Sequence, residues 1–316
     1  MRHETMLYPF DTKSTTFGRH QTFPLRFGWL TKGFQALLKN PALFYDDKAV
    51  VTLGVGKNMV EAIQYWLEVT GMIQRRNEGG FEQSERGRIV LGETGDPWLE
   101  DEVTLWLLHW WIASNSRMAT SFYWFFNEAT MPQFQEHDLR TVLTHFTEQR
   151  LTKPPSASTL KSDISTLLRM YSVSETKGAV QAEDQLDSPL SQLHLIEMQS
   201  GRHYQSLRQW RSELPELVLG IAIIERFEAE PNIEALPIRE LLYGGSGWPA
   251  PGALFRMSEE GFMYKLERFL TAQSDLFELR DTAGLHQLYR KYSASQEIAK
   301  KSSIMLLEHH YQQQGG

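Results

Sequence analysis

Two segments, Leu105–Ile112 (LWLLHWWI) and Phe122–Phe126 (FYWFF), are apolar nearly all the way round. A helix without a polar face has no side to offer to water, so it must be enclosed by protein or by lipid. Both segments fall well short of the roughly 18–20 apolar residues that cross a bilayer, and no run of that length occurs anywhere in the chain. They are therefore expected as central helices around which the rest of the chain folds. Their Trp and Phe side chains are read as core packing rather than as a platform for stacked bases. The N-terminus lacks an apolar signal segment, so a cytoplasmic protein with no membrane association is expected.

The best-defined unit precedes these helices. Residues 1–16 read as a tail. From Phe17 the pattern turns helical, with Phe27, Leu30, Phe34, Leu37 and Leu38 at helix spacing and a stop at Asn40-Pro41. A short segment at Asp46–Leu53 and the turn Gly54-Val55-Gly56 follow. The next helix carries Met59, Val60, Ile63, Trp66 and Leu67 inward and Lys57, Asn58, Glu61 and Gln64 outward. After Gly71, Met72-Ile73-Gln74 begins a strand, Glu78-Gly79-Gly80 turns, and Gly87–Leu91 reads as the returning strand. This order is that of a winged helix-turn-helix over residues 17–95.

Residues 96–173 read as a helical domain. Lys153-Pro154-Pro155-Ser156 breaks the chain, and Ser158 or Thr159 is placed to cap a helix with Leu160, Ile164, Leu167, Leu168 and Tyr171 on one face. Residues 174–188 read as a linker, 189–310 as a mainly helical C-terminal domain and 311–316 as a tail. In that last domain, Leu214–Glu228 reads as a helix and Tyr243–Pro251 as a turn-rich loop. From Ser258 a further helix carries Phe262, Met263, Leu266, Phe269 and Leu270 inward, with a strand at Leu276–Leu279 behind it. The repeated offsets suggest a second winged-helix-like unit. The fold class is thus mainly α.

The chain has no cysteine, which excludes disulfide scaffolds, thiolate zinc sites and cysteine nucleophiles. No GxSxG, Walker-type loop, HExxH or GxGxxG is found. Glu197-Met198-Gln199 lacks the lysine of a PD-(D/E)xK nuclease, and His20, His137 and His309-His310 have no partners at ligand spacing. The net charge is −7, yet from Lys13 to Lys57 seven basic residues (Lys13, Arg19, Arg26, Lys32, Lys39, Lys48, Lys57) face only Asp46 and Asp47. Positive charge beside a helix-turn-helix suits phosphate contact. Arg19, His20, Arg26, Lys57 and Asn58 are the expected DNA contacts, joined by Arg75 and Arg76 on the wing, with Arg86 and Arg88 on its second strand. Glu78, Glu82 and Glu85 nearly cancel the wing's charge, so a protein-binding role stays open beside the nucleic-acid one. The acidic residues Glu183, Asp184 and Asp187 are oxygen donors suited to Mg2+ or Mn2+, while their linker-like context favours solvated charge.

The stretch Phe17–Leu30 (FGRHQTFPLRFGWL), with Gly54–Val60 (GVGKNMV) and Tyr65-Trp66-Leu67, resembles the bacterial SspB-like family of formerly unknown function, encoded beside DNA phosphorothioation genes. The likeness runs on through Asp187–Leu190 and the Ser258–Leu285 region. It implies a protein that binds double-stranded DNA and nicks one strand in a sulfur-modification and phage-defence system. It further implies a cysteine desulfurase, an ATPase and an ATP-pyrophosphatase-like sulfur-transfer enzyme as associates. It also gives His20 a role as proton carrier. No catalytic residue carries over. The alternative is a non-catalytic DNA-binding or scaffold subunit, and the two-fold pairing common among helix-turn-helix proteins fits a homodimer.

Overall fold

The computed structural model describes residues 7–173, 188–282, 284–291 and 302–314. Thirteen helices and eight short strands lie within them, so the chain is mainly α-helical. Helix α1 (Trp29–Lys39) buries Leu30, Phe34 and Leu37. Phe27, which precedes the helix start after Gly28, stays exposed, as does Leu38 on the outer face of α1. Helix α2 (Ala49–Leu53) ends at Gly54, whose left-handed φ of 58° closes the helix as few other residues would. Helix α3 (Lys57–Val69) packs on α1 and α2, with Gly33 of α1 lying against Ile63 and Leu67.

A hairpin follows, β1 (Ile73–Arg75) against β2 (Phe81–Gln83), in antiparallel register with Ile73 opposite Gln83. The returning strand is thus six residues earlier than expected, and Glu85–Leu91 is helix α4. The reason is local. The Ser84 hydroxyl accepts the Gly87 N–H at 2.9 Å and caps a helix start. A short apolar run such as Ile89-Val90-Leu91 suits a buried helix as well as a buried strand. Gly87 also packs where a Cβ would run into the Met72 carbonyl.

Helix α5 (Glu102–Ala113) is capped by Asp101, which accepts the Val103 N–H at 2.9 Å, and every residue from Val103 to Ala113 is buried. Helix α6 (Thr120–Tyr123) runs into a π-helical turn, Trp124–Glu128. Strand β3 (Gln133–Gln135) leads into α7 (Glu136–Arg150), which packs on α8 (Ala157–Tyr171). All five expected inward positions of α8 are buried, but Ser156 rather than Ser158 or Thr159 is the cap. Strands β4 (Glu197–Gln199) and β5 (His203–Gln205) join β3 in a sheet of order β3-β5-β4.

Helix α9 (Glu216–Ala229), strand β6 (Ala235–Pro237), helix α10 (Ile238–Tyr243), helix α11 (Pro251–Leu254) and helix α12 (Glu259–Ala272) come next. Ser258 caps α12 by accepting the Gly261 N–H at 3.2 Å. Strands β7 (Phe277–Thr282) and β8 (Leu285–Arg290) complete a sheet of order β6-β8-β7. The last described helix, α13 (Ser303–Gln314), packs on α4 and α9.

Helix α5 touches α6, α9, α11 and the 3-10 turn Pro189–Leu193, and one continuous apolar core runs through the described residues. Trp66, Trp106, Trp110 and Trp124 are all enclosed in it. The described parts of both expected tails, residues 7–16 and 311–314, pack on this core. Leu7 is buried, and Phe10 donates its N–H to the Gly247 carbonyl at 2.8 Å while stacking on Tyr123. Tyr311 is buried with its hydroxyl 2.6 Å from that of Thr104. Residues 174–187, which include most of the expected linker and all of Glu183, Asp184 and Asp187, lie outside the described residues. Ser188 is buried and donates to the Met170 carbonyl at 2.8 Å. No described helix is long and apolar enough to cross a membrane.

Candidate nucleic-acid interface

The start of α3 forms a positively charged edge. Lys32, Lys57 and Asn58 are exposed there, with the Lys32 ammonium beside Gly54 in the α2–α3 turn, and exposed Lys48 stands at the other end of α2. Gly56 has no side chain to cap α3, so the first amides and the positive end of the helix dipole face outward beside Lys57. Val51, on α2 next to this turn, is 82% exposed. Beyond its second turn α3 is enclosed. Tyr65 donates to the Met118 carbonyl at 3.0 Å, and Trp66 meets Phe122 edge to face at 5.7 Å. Only Lys57, Asn58, Glu61 and half-buried Gln64 are left to face a partner.

The hairpin arginines are exposed but answered by carboxylates. Arg75 pairs with Glu68 at 3.1 Å and lies over the Phe81 ring, and Arg76 stands 4.0 Å from Glu82. Arg26 is half-buried over Trp29. Arg86 and Arg88 sit on α4, not on a wing strand, and both turn to the protein. Arg86 bonds Glu225 at 2.9 Å, and Arg88 bonds Glu308 at 3.0 Å.

His20 is corrected outright: it is 1% exposed and has no path to a DNA surface. Its Nε2 donates to Asp163 Oδ1 at 2.9 Å, while its Nδ1 accepts the Thr22 N–H at 3.1 Å, the arrangement of a neutral imidazole. Asp163 also accepts the Gly18 N–H at 2.9 Å and the Ser121 hydroxyl. His20 stacks on Trp66 at 6.3 Å. This buried anchor holds Gln21 and Thr22 at φ of 51° and 68°, a left-handed conformation that is costly for a β-branched residue, on the order of 1–3 kcal/mol each. Arg19 is exposed on this loop, as is Thr22. Burial, and then the Asp163 charge, push the neighbouring Tyr65 hydroxyl well above its ordinary pKa, so it stays a neutral donor.

Three buried polar groups escaped the sequence reading. His109, within the apolar α5, accepts from the Tyr171 hydroxyl and donates to the Leu254 carbonyl, both at 2.8 Å. Burial lowers its pKa to about 3, so it is neutral. Arg256 donates to the Phe126 and Phe125 carbonyls of the π-helical turn at 2.9 and 2.8 Å and to Ser206 at 2.9 Å; burial pulls it down to about 9, leaving it charged near neutrality. Glu225 accepts from Arg86, Trp110 and Trp111 at 2.9, 2.6 and 3.1 Å. Only their polar identity inside apolar runs marked them in advance. Among the described residues no group of three or more His, Asp or Glu side chains is arranged to hold a metal ion.

Two solved structures match over nearly the whole chain. An SspB crystal structure is 27% identical with a TM-score of 0.82, covering 95% of this chain and 90% of that one. A magnesium ion-bound SspB crystal structure is 26% identical with a TM-score of 0.81, covering 94% and 88%. No curated protein matches the chain. The family model for a protein of unknown function, DUF4007, matches residues 17–311. The chain therefore belongs to the DUF4007 family, and in sequence and fold it is SspB-like.

Proposed function

We propose that this protein binds double-stranded DNA in a phosphorothioation-linked phage-defence system and nicks one strand. The observation that carries the reading is the edge of Lys32, Lys57 and Asn58 at the uncapped start of α3, with Lys48 exposed at the start of the adjoining α2, in a chain similar to SspB. Helices α1–α3 followed by the β1–β2 hairpin have the order of a winged helix-turn-helix, with α3 in the recognition position. The segment α9–β6–α10–α11–α12–β7–β8 has a related order, but Glu259, Glu260 and Glu267 are exposed on α12 and repel phosphate. The duplex therefore belongs at the N-terminal unit. Lysine contacts there are to phosphate, and base contact is confined to the first two turns of α3. Arg19, Arg26, Arg75 and Arg76 flank this edge as further phosphate contacts.

Magnesium is bound in one SspB structure. No described residue trio here fits such an ion, so we assign no residue to strand cleavage. The desulfurase, the ATPase and the ATP-pyrophosphatase-like enzyme are the proposed associates. The pairing of Arg75 and Arg76 with Glu68 and Glu82 favours the second reading, a non-catalytic subunit with a protein-binding hairpin.

A supercoiled-plasmid assay with Mg2+, Mn2+ or chelator, beside a gel shift over a salt series, tests both. Open-circle product that chelator abolishes supports the nickase. Salt-sensitive shifts without nicking assign the cut to a partner. Neither shift nor nick at low salt refutes the DNA reading.

A further inference from the structure

A cavity of about 130 Å3 lies between the Gly18–Phe23 loop and the outer ridge of α3, lined by Arg19, Gln21, Glu61, Gln64, Tyr65 and Glu68. Its volume is a few times the ~30 Å3 share of one liquid water and well below the roughly 300–1,000 Å3 of drug-sized pockets. It suits one flat heterocycle the size of a nucleobase rather than an extended ligand.

Its polar groups divide into committed and available ones. Glu68 accepts from Gln64 at 2.8 Å and from Arg75 at 3.1 Å, and the Tyr65 hydroxyl is committed to Met118. Arg19 on the loop and Glu61 on α3 have opposite charges and face the same space. Neither makes a hydrogen bond or ion pair with the other or with any described residue. Arg19 offers only donors and Glu61 only acceptors, and the Gln64 carbonyl adds a second acceptor because its amide nitrogen is turned to Glu68. Acceptors opposite a donor fork match an exocyclic amino group beside a ring nitrogen or carbonyl. Cytosine, adenine and guanine present such an edge, and thymine has no amino group. The loop wall is set in advance, since Gly18 and His20 are bonded to Asp163 and Thr22 is bonded to His20. Glu61 follows Lys57 by one helical turn, so a nucleotide leaving a strand held at Lys57 reaches the cavity mouth.

We infer that this cavity receives a single amino-bearing nucleobase turned out of the bound DNA, with Glu61 and Gln64 accepting from its amino group and Arg19 donating to the adjacent ring acceptor. The inference rests on the DNA-binding reading above. A free nucleotide presents the same edge, and the test separates the two sources.

The test uses the full chain and three short duplexes: fully paired, with one unpaired cytosine, and with one unpaired thymine. Binding is followed by anisotropy over a salt series. The unpaired-cytosine duplex is expected to bind roughly tenfold tighter than the unpaired-thymine duplex. In Glu61→Ala this gap closes, and the gap is read as the ratio of the two unpaired duplexes, so that a change common to all three duplexes cancels. Arg19→Met, on the opposite wall, closes the same gap. Salt-sensitive binding of the paired duplex with no cytosine preference overturns the cavity assignment and leaves the DNA reading standing. Failure to bind any duplex overturns the DNA reading and, with it, base extrusion. Saturation-transfer NMR with cytidine monophosphate supplies the last arm. A signal lost in Glu61→Ala, without any duplex preference, assigns the cavity to free nucleotides and overturns extrusion.

Discussion

The Arg86 guanidinium donates to the Glu225 carboxylate at 2.9 Å across 139 residues of sequence, joining the helix after the hairpin to the interior of the C-terminal half. The same carboxylate accepts the Trp110 and Trp111 indole N–H groups of α5, and Arg86 lies 4.3 Å from the centre of the Trp111 ring. Glu225→Ala removes the acceptor for all three donors at once. It is expected to lower stability by about 3–5 kcal/mol in urea unfolding, and Glu225→Gln by less, since its carbonyl still accepts from an indole. A loss below about 1 kcal/mol for the alanine variant would contradict this account.

Acid should weaken the fold through His109. Burial holds its folded pKa at about 3, below the ordinary value of 6.5. Between those values the unfolded chain carries the proton and the folded chain does not, so the stabilisation present above pH 6.5 is lost as pH falls towards 3. The slope from this one group is about 1.4 kcal/mol per pH unit. His109→Gln, which does not titrate, should flatten the dependence of unfolding free energy between pH 6 and 4.5 by about one proton. An unchanged proton uptake would mean that His109 titrates normally.

Lys32, Lys48 and Lys57 are expected to govern the salt dependence of DNA binding. Each alanine replacement that removes a phosphate contact should reduce the slope of log K against log salt by about 0.9. Arg76→Ala should change it less, because Glu82 already stands beside that guanidinium. Anisotropy titrations over salt measure both. Equal slopes for the triple-lysine variant and the parent would remove α3's start as the contact edge.

Asp163 and Thr22 act on the same loop in opposite directions. Asp163→Ala leaves the Gly18, His20 and Ser121 donors without their acceptor and is expected to cost about 3 kcal/mol or more. Thr22→Gly keeps the N–H that bonds His20 and relieves the left-handed β-branched backbone. It is expected to raise stability by about 0.5–1 kcal/mol after the added chain entropy. Melting curves of the two variants should move in opposite directions.

What was legible in the sequence follows from how local each feature is. The enclosed α5 declares itself by the lack of a polar face and the buried face of α8 through periodicity, and the mainly α fold follows from them. The motif around Phe17–Leu30 marked the SspB-like family. The lysines near α3 are a property of local charge density. His20 was misplaced because its acceptor, Asp163, lies 143 residues away, and spacing along the chain carries no trace of that bond. The same distance problem hid Glu225 behind its three donors. Glu85–Leu91 was misread because a few apolar residues satisfy either period, and the deciding contact was the hydroxyl of Ser84.

Helix α13 gives the order of synthesis a physical meaning. Arg88 and Thr104 find their partners Glu308 and Tyr311 220 and 207 residues later. At about 5–20 residues per second, the ribosome leaves α4 and the start of α5 without this cover for about 10–45 s. During that interval the first-made unit holds its hairpin and its three leading helices but not its closing helix. A nascent chain stalled before Ser303 thus offers chaperones and proteases the side of α4 that the finished protein keeps under α13.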